Sequence, residues 1–374
     1  MIDQDAILDR FTRYVRHASE SGHEAGFAGM IAAELEASGC VRIRYDDAAA
    51  RTGGDSGNLH AVLEGAPGLK PILFASHLDT VSPGTGIEPV IMDGVIRSSG
   101  TTVLGADDKS GVAAIMEALA VAARLAPGKR RTVELLFTVS EEAGLLGSAH
   151  ASLGGCASTS AVVFDSSEPF GAIVNEGPWA SRLSVGLAGK ASHAAIRPEE
   201  GIHALRIGAE LVSTLQLGRL SPDLTVNVAN FLSPGQGNIV PDKASFEVEV
   251  RAFSQDLLQQ HCAGISTSMT AQAQAAGARI SIERRDLLPG FLVPANSGLI
   301  GELEEALRST ASIPRLVRTF GGSDAANLNR AGIRAVNIST GMKKSHGLDE
   351  YLEVADLVRC AGVALHLITH GGKS

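Results

Sequence analysis

Cysteine is scarce in this chain: Cys40, Cys156, Cys262 and Cys360 are its four residues, far apart and without a CxxC pair. That spacing argues against a disulfide framework and a cysteine zinc site, and it leads us to expect a reducing cytoplasm. Basic charge is also in deficit, with 32 Lys and Arg against 41 Asp and Glu, a net charge of −9 and a pI near 5.7. Such a surface repels phosphate backbones and anionic lipid, so neither nucleic acid nor membrane is expected as a partner. No apolar run approaches the roughly 18 residues of a membrane span. The start MIDQDAILDRFTRYV is amphipathic and acidic, without the basic region and apolar core of a signal peptide. Also missing are GxGxxG after a strand, GxxxxGK(S/T), HExxH and GxSxG, which leaves cofactor and serine-hydrolase readings without their usual support. There is no internal repeat or low-complexity tract.

What is present suits a folded α/β protein. The 374 residues are 44% hydrophobic, with a mean hydropathy of +0.13, and a chain of this length suggests two domains. Ile7, Leu8, Phe11, Tyr14 and Val15 recur at helical spacing, as do Phe27, Met30, Ile31 and Leu35. Between them, Ser21-Gly22-His23-Glu24 has the form of a capping box for the second helix. Short β-rich runs at 59–63, 72–75, 133–139 and 161–164 surround an apolar helical stretch at 111–122. This alternation predicts a covered, largely parallel sheet. From about residue 180 the order becomes strand 182–187, helix 201–215, strands 224–231 and 245–253, helix 255–275 and strand 279–284. That is the split βαβ order of a ferredoxin-like domain. The α/β style resumes with a helix at 299–308, a strand at 335–338 and a closing helix at 355–370. The expected organisation is a first domain of residues 1–179 and 290–374, interrupted by a second at 180–289.

Several acidic and histidine residues stand just beyond predicted strands of the first domain, where open α/β sheets place their ligands. They are His77 and Asp79 in FASHLDT, Asp107 and Asp108 in LGADDKSG, Glu141 and Glu142 in TVSEEAGLLGS, Asp165 after AVVF, and His346 in KKSHGLDEY. In extended chain, residues two apart share a side, so the Asp79 carboxylate can meet the His77 ring. Glu141 and Glu142, as neighbours on extended backbone, would point opposite ways. Each segment alone also has an ordinary reading: a surface His beside an Asp, a helix cap, a solvated acidic turn.

In order and flanks, HLDT, GADDKSG, SEEAGLLGS, the Asp after a strand, SHAA, GNIVPDKA, GGSDAANL and SHGLDEYLEV resemble the M20 family of dinuclear zinc peptidases and deacylases, in particular its peptidase T-like branch. The resemblance covers nearly the whole chain. It implies a catalytic α/β domain, with a mixed sheet and helices on both faces, interrupted by a ferredoxin-like lid that commonly mediates dimerisation. It also implies two Zn²⁺, with Mn²⁺ or Co²⁺ compatible with the same donors. His77, Asp165, Glu142 and His346 would be terminal ligands, and Asp107 the carboxylate bridging both metals, joined to Asp108 by a cis peptide. Asp79 would support His77, and Glu141 would be the general base for attack by a metal-bridged hydroxide. Two divalent ions against Asp107, Glu142 and Asp165 leave one positive charge, which that hydroxide cancels.

From the interrupting domain the resemblance supplies His193, often contributed by the partner subunit, to stabilise the tetrahedral oxyanion. Asn238 and Arg251 become polar contacts to substrate, and Gly321-Gly322-Ser323 either brings Gly322 and Ser323 close to substrate or is the turn before a helix capped by Ser323 or Asp324. One departure bears on specificity: peptidase T proper has an arginine just before its Gly-Gly, where this chain has Phe320. The expectation is a cytoplasmic, homodimeric dizinc hydrolase of short peptides, an aminopeptidase or tripeptidase. The alternatives are an N-acyl amino acid deacylase or carboxypeptidase with the same machinery, and a non-catalytic metal-binding dimerisation module. Asn337-Ile338-Ser339 forms a sequon expected to be buried in a strand. The other eight histidines are assigned core or surface roles.

Overall fold

The computed structural model describes residues 1–372. The chain divides into two compact units, one made by Met1–Glu176 with the residues from Leu292 onward and one by Gly177–Phe291.

In the first unit the strands Val41–Tyr45, Leu59–Leu63, Val133–Thr138, Ile72–His77, Ser160–Ser166 and Arg334–Ser339 lie side by side in that order. Val133–Thr138, Ile72–His77, Ser160–Ser166 and Arg334–Ser339 pair in parallel. Leu59–Leu63 and Val41–Tyr45 extend this centre antiparallel, so the sheet is mixed. Every residue of Ile72–His77 and Val133–Thr138 is buried, which explains why these runs are largely apolar: side chains on both sides of the strand are covered. The helix Ala106–Ala123 packs on Ile72–His77 and Ser160–Ser166 and also meets the helices Gln4–Arg16 and Val354–His370. Being enclosed, it is apolar nearly all round, with little of the one-sided pattern of a surface helix. Phe74 and Phe164 lock neighbouring strands edge to face, with centroids 5.1 Å apart.

One local expectation, and one alternative reading, are overturned. The Ser21-x-x-Glu24 pair caps no helix: helix Ala25–Ala37 begins after Glu24 without a side-chain cap hydrogen bond, and the Ala25 amide donates instead to Asp55. Ser323 precedes helix Asp324–Arg330, again without a side-chain cap, because the Asp324 carboxylate is turned into the core. A small antiparallel sheet of Met342–Lys343, Tyr351–Glu353, Val95–Ser98 and Pro89–Met92 also went unforeseen, since its strands are two to four residues long.

In the second unit the strands Gly218–Ser221, Leu224–Leu232, Lys243–Ala252, Trp179–Ala188 and Arg279–Leu288 form one sheet in that order, every neighbour antiparallel. The expected βαββαβ order is present with one short strand, Gly218–Ser221, added at the edge. Leu183, Val185, Leu187, Phe246, Val248 and Val250 alternate inward and share a core with Leu211, Leu258, Ile265 and Met269 from the helices Ala204–Ser213 and Gln255–Ala275.

Gly111 is the tightest point of the first unit's core helix. A Cβ there would lie 2.1 Å from the Phe164 carbonyl oxygen and 2.6 Å from Asp108 Oδ1. Gly111→Ala is expected to cost about 1–3 kcal/mol through overpacking, seen as a lower urea midpoint. An unchanged midpoint would show that helix and sheet separate freely.

Candidate metal centre

His77 ends its strand with its ring buried, and each nitrogen has a carboxylate or carbonyl neighbour. Nδ1 lies 2.9 Å from the Asp79 main-chain carbonyl and 3.4 Å from its Oδ1, so the closer support comes from the Asp79 backbone and not, as the spacing suggested, from its side chain. Nε2 lies 3.0 Å from Asp107 Oδ1 and 3.7 Å from Asp165 Oδ1. The other oxygen of Asp107, Oδ2, lies 3.3 Å from His346 Nε2, which also meets Glu142 Oε1 at 2.9 Å. One carboxylate therefore faces two imidazoles, one on each oxygen. His77, Asp107 and Glu142 present ligand atoms all within 4.8 Å of one another, as do His77, Asp108 and Asp165.

Backbone geometry sets these side chains. The Asp107–Asp108 peptide is cis, and both residues depart from helical dihedrals at the start of their helix. Glu350 holds that entrance, accepting from the Gly105 amide at 2.8 Å and the Asp107 amide at 3.0 Å. Asp108 turns back to the Ser76 hydroxyl and the His77 amide. Asp165 is fixed through its main chain: its amide donates to Asn337 Oδ1 at 2.9 Å, and its carbonyl accepts from the Asn337 side-chain amide. Asn337 does lie buried in a strand, and its reach across to the neighbouring strand left no mark in the sequence beyond an amide side chain. Glu141 and Glu142 are not extended. The strand stops at Thr138, Ser140 takes a positive φ of 51°, and a turn follows in which the Gly144 and Leu145 amides return to the Glu141 carbonyl. Asp79 accepts from the Glu141 amide at 2.9 Å, the Glu142 amide at 3.1 Å and the Ser21 hydroxyl at 2.6 Å.

The remaining candidates are distributed between the units. Gly322 is exposed on the loop before Asp324–Arg330, and Ser323 beside it is buried. In the second unit, the Ala194 amide donates to the Asn238 carbonyl at 3.0 Å, bringing the His193 and Asn238 loops together. The Ala195 and Ile196 amides donate to His193 Nδ1 at 3.2 and 3.3 Å. With Nδ1 accepting, the ring proton sits on Nε2. Arg251 places Nε and one terminal nitrogen on Glu249 Oε1, at 2.8 and 2.6 Å.

The electrostatics show what the cluster lacks. Burial pushes the Glu141 and Asp165 carboxyls well above the carboxylate range; His77 opposes this, while neighbouring carboxylates add to it. Burial likewise raises Asp108. Burial opposes charge on Asp107 and Asp79, yet the imidazoles around Asp107, and His77, Ser21 and the Glu141 amide around Asp79, hold both below the usual range. His346 is raised to about 10 by its contacts with Asp107 and Glu142. His77 is also raised well above its ordinary value, since Asp107 and Asp79 outweigh its burial. Carboxylates outnumber local cations, and oxygen and nitrogen donors without thiolate suit divalent ions such as Zn²⁺, Mn²⁺ or Co²⁺.

Fold and donor cluster together define a metal-dependent hydrolase. The family model of Peptidase family M20/M25/M40 matches residues 73–370, and the chain belongs to that family. It is 30% identical over 373 residues to the Bacillus subtilis (strain 168) protein YqjE, covering 100% of both chains. Aminopeptidase PepT from Bacillus cereus ATCC 10987 is similar at 31% identity with a TM-score of 0.91, over 98% of each chain. A tripeptidase from Staphylococcus aureus subsp. aureus Mu50 is similar at 27% identity with a TM-score of 0.94, over 99% of this chain and 98% of that one.

These charges predict a coupling of metal, proton and stability. Glu141, Asp165 and Asp108, raised on folding, favour the fold when protonated, so their contribution is lost as pH climbs through their raised values. His77 and His346, also raised, contribute below the ordinary imidazole value of 6.5 and lose it as pH climbs through their folded values. The metal-free protein should therefore lose stability between about pH 6.5 and 10, the range over which His346 moves, and the gain in Tm on adding Zn²⁺ should be larger at about pH 8 than at about pH 6. Calorimetry with and without the ion checks this; a gain independent of pH would contradict it.

Proposed function

We propose that this chain is an aminopeptidase or tripeptidase of short peptides that works with two Zn²⁺ ions, and that the site residues act as follows. The observation that carries the reading is Asp107, whose two oxygens face different imidazoles at 3.0 and 3.3 Å. With cations bound in place of the intervening protons, Asp107 would be the residue shared by two ligand sets. His77 and Asp165 would complete one ligand set, and Glu142 and His346 the other. Bound there, the ions would supply Lewis acidity toward the scissile carbonyl and lower the pKa of water to near neutrality.

The chain's own groups do the rest. Glu141 is buried and crowded by like charge, conditions that make its carboxylate a ready proton acceptor; it takes a proton from water and passes it to the leaving amine. Asp79 positions Glu141 and Glu142 through their amides and His77 through its carbonyl. His193, protonated at Nε2, donates toward the oxyanion that develops as the carbonyl is attacked. Asn238, Arg251, Gly322 and Ser323 contact substrate.

Arg251 also ranks the alternatives. A carboxypeptidase or N-acyl amino acid deacylase would use the fork of Arg251 to hold a terminal carboxylate, yet Nε and one terminal nitrogen of that fork are held by Glu249, which favours a lesser polar contact to substrate and recognition of the free amino end. A non-catalytic module would have no use for Glu141 with Asp79 behind it. We further propose that the unit Gly177–Phe291 is a lid and the surface of a homodimer, and that the protein is cytoplasmic. Four free cysteines, three of them buried, support a reducing compartment. No helix among the described residues is long and apolar enough to cross a membrane.

The test is mass-spectrometric product analysis of the zinc-loaded protein and its Glu141→Gln variant on mixed di- and tripeptides, their N-acetylated forms and N-acyl amino acids. Release of N-terminal residues from free peptides alone is expected, with kcat lower by about 100- to 10,000-fold in Glu141→Gln. Cleavage of the blocked substrates would assign the deacylase or carboxypeptidase reaction instead, and full activity in the variant would remove Glu141 as the base.

A further inference from the structure

The Ser21-x-x-Glu24 pair caps no helix, and its two side chains go somewhere more consequential. Glu24 is fully buried, and its Oε1 accepts from the Ser140 amide at 3.0 Å, the Ser140 hydroxyl at 3.2 Å and the Gly22 amide at 2.8 Å. Ser21 donates its hydroxyl to Asp79 Oδ2 at 2.6 Å. With the two Asp79 contacts to Glu141 and Glu142, three consecutive amides, those of Ser140, Glu141 and Glu142, each donate to a buried carboxylate. Such a run of amides aimed at anions fixes a backbone far more tightly than an exposed turn does, because each donor would be left buried and unpaired if the turn moved. Ser140 needs that support, since its φ of 51° is a conformation that side-chain-bearing residues rarely adopt.

The segment that brings Ser21 and Glu24 here is itself tied down. The Ser19 hydroxyl donates to the Leu78 carbonyl at 2.7 Å, the Thr80 amide to Ser19 at 2.9 Å, the Ser21 amide to Thr80 at 3.2 Å and the Gly84 amide to Glu20 Oε1 at 2.6 Å. Residues 19–24 thus form a strap between the strand end carrying His77 and the turn carrying Glu141 and Glu142.

We propose that this strap is a positioning element of the reaction: Glu24 and Ser21 hold the 140–142 turn so that the Glu141 and Glu142 carboxylates are presented in fixed relation to His77 and Asp107. The inference rests on the function proposed above for those four residues. The side chains of Ser21 and Glu24 bond to Asp79, Ser140 and the Gly22 amide, and so act through Ser140 and Asp79. A strap that served stability alone would alter unfolding and leave the metal site of the folded protein untouched, whereas a positioning strap alters both ligand geometry and turnover.

The experiment uses the full chain with Ser21→Ala, Glu24→Ala and Glu24→Gln. Zinc affinity is measured by competition with a chromophoric chelator, the visible absorption is recorded on the Co²⁺-loaded protein, and kcat and KM are determined for a tripeptide. In folded Ser21→Ala and Glu24→Ala, zinc affinity is expected to fall about tenfold or more. The Co²⁺ band should shift, and kcat should fall about tenfold with KM within about twofold of wild type. Glu24→Gln keeps an oxygen acceptor for both Ser140 donors and is expected to recover most of the affinity and the cobalt spectrum. Folded variants with wild-type zinc affinity, cobalt spectrum and kcat would overturn the proposal. Should Glu24→Ala fail to fold, Ser21→Ala, which removes a single hydroxyl, decides by the same readouts. A wild-type protein without peptide hydrolysis would overturn the proposed function, and the variants' zinc affinity and cobalt spectrum would still decide this inference.

Discussion

Buried negative charge at the ends of the parallel strands is the constraint on which the rest of this structure depends. Asp79, Asp107, Asp108, Glu141, Glu142, Asp165 and Asp324 are gathered around or beside two imidazoles, His77 and His346. An unpaired carboxylate in such surroundings is pushed toward its neutral form or demands a cation. The chain answers unequally. Where backbone amides and hydroxyls are available, as at Asp79, the charge is satisfied internally and the residue becomes part of the scaffold. Where they are not, as at Asp165 and Glu141, burial pushes the carboxyl toward its neutral form, and the proposed function gives the first to a metal ion and the second to proton transfer.

The fold makes that division possible. Parallel strands end on one edge of the sheet, so His77 and Asp165 emerge side by side without any long loop, while Asp107 arrives from the helix that packs beneath them. The enclosed helix, with Gly111 pressed against Phe164, and the Asn337 clamp on Asp165 hold these elements as one body. Glu141 and Glu142 come from a turn, the less rigid element, and that is where the surrounding chain invests extra contacts: Asp79 from one side and Glu24 from another.

Much of this is legible in the sequence because the signals are local. Short, largely apolar runs mark Ile72–His77 and Val133–Thr138, helical periodicity marks the two opening helices, and the acidic and histidine residues stand close to strand ends or helix entrances. What escaped depends on contacts distant in sequence. Ser21 and Glu24 have the spacing of a capping box, yet their partners are Asp79 and Ser140; Asp324 looks like a helix-start residue and instead accepts from Thr138. Asn337 reads as a sequon but clamps a neighbouring strand, and Glu350, which carries no signal of its own in the sequence, holds the Asp107 amide. The Glu141–Glu142 pair was expected on extended chain, because nothing local announces that Ser140 reverses the backbone. The candidate centre was named through the resemblance that the ordered motifs carry, whereas the supports that aim it required the fold.

The central claim is that Asp107 joins two cation sites, one with His77 and Asp165 and one with Glu142 and His346. The most direct test is anomalous diffraction at the zinc edge from crystals of the zinc-loaded protein. Two peaks flanking the Asp107 carboxylate, one on each oxygen, are predicted. A single peak, or two peaks that leave Asp107 uncoordinated, would contradict the account.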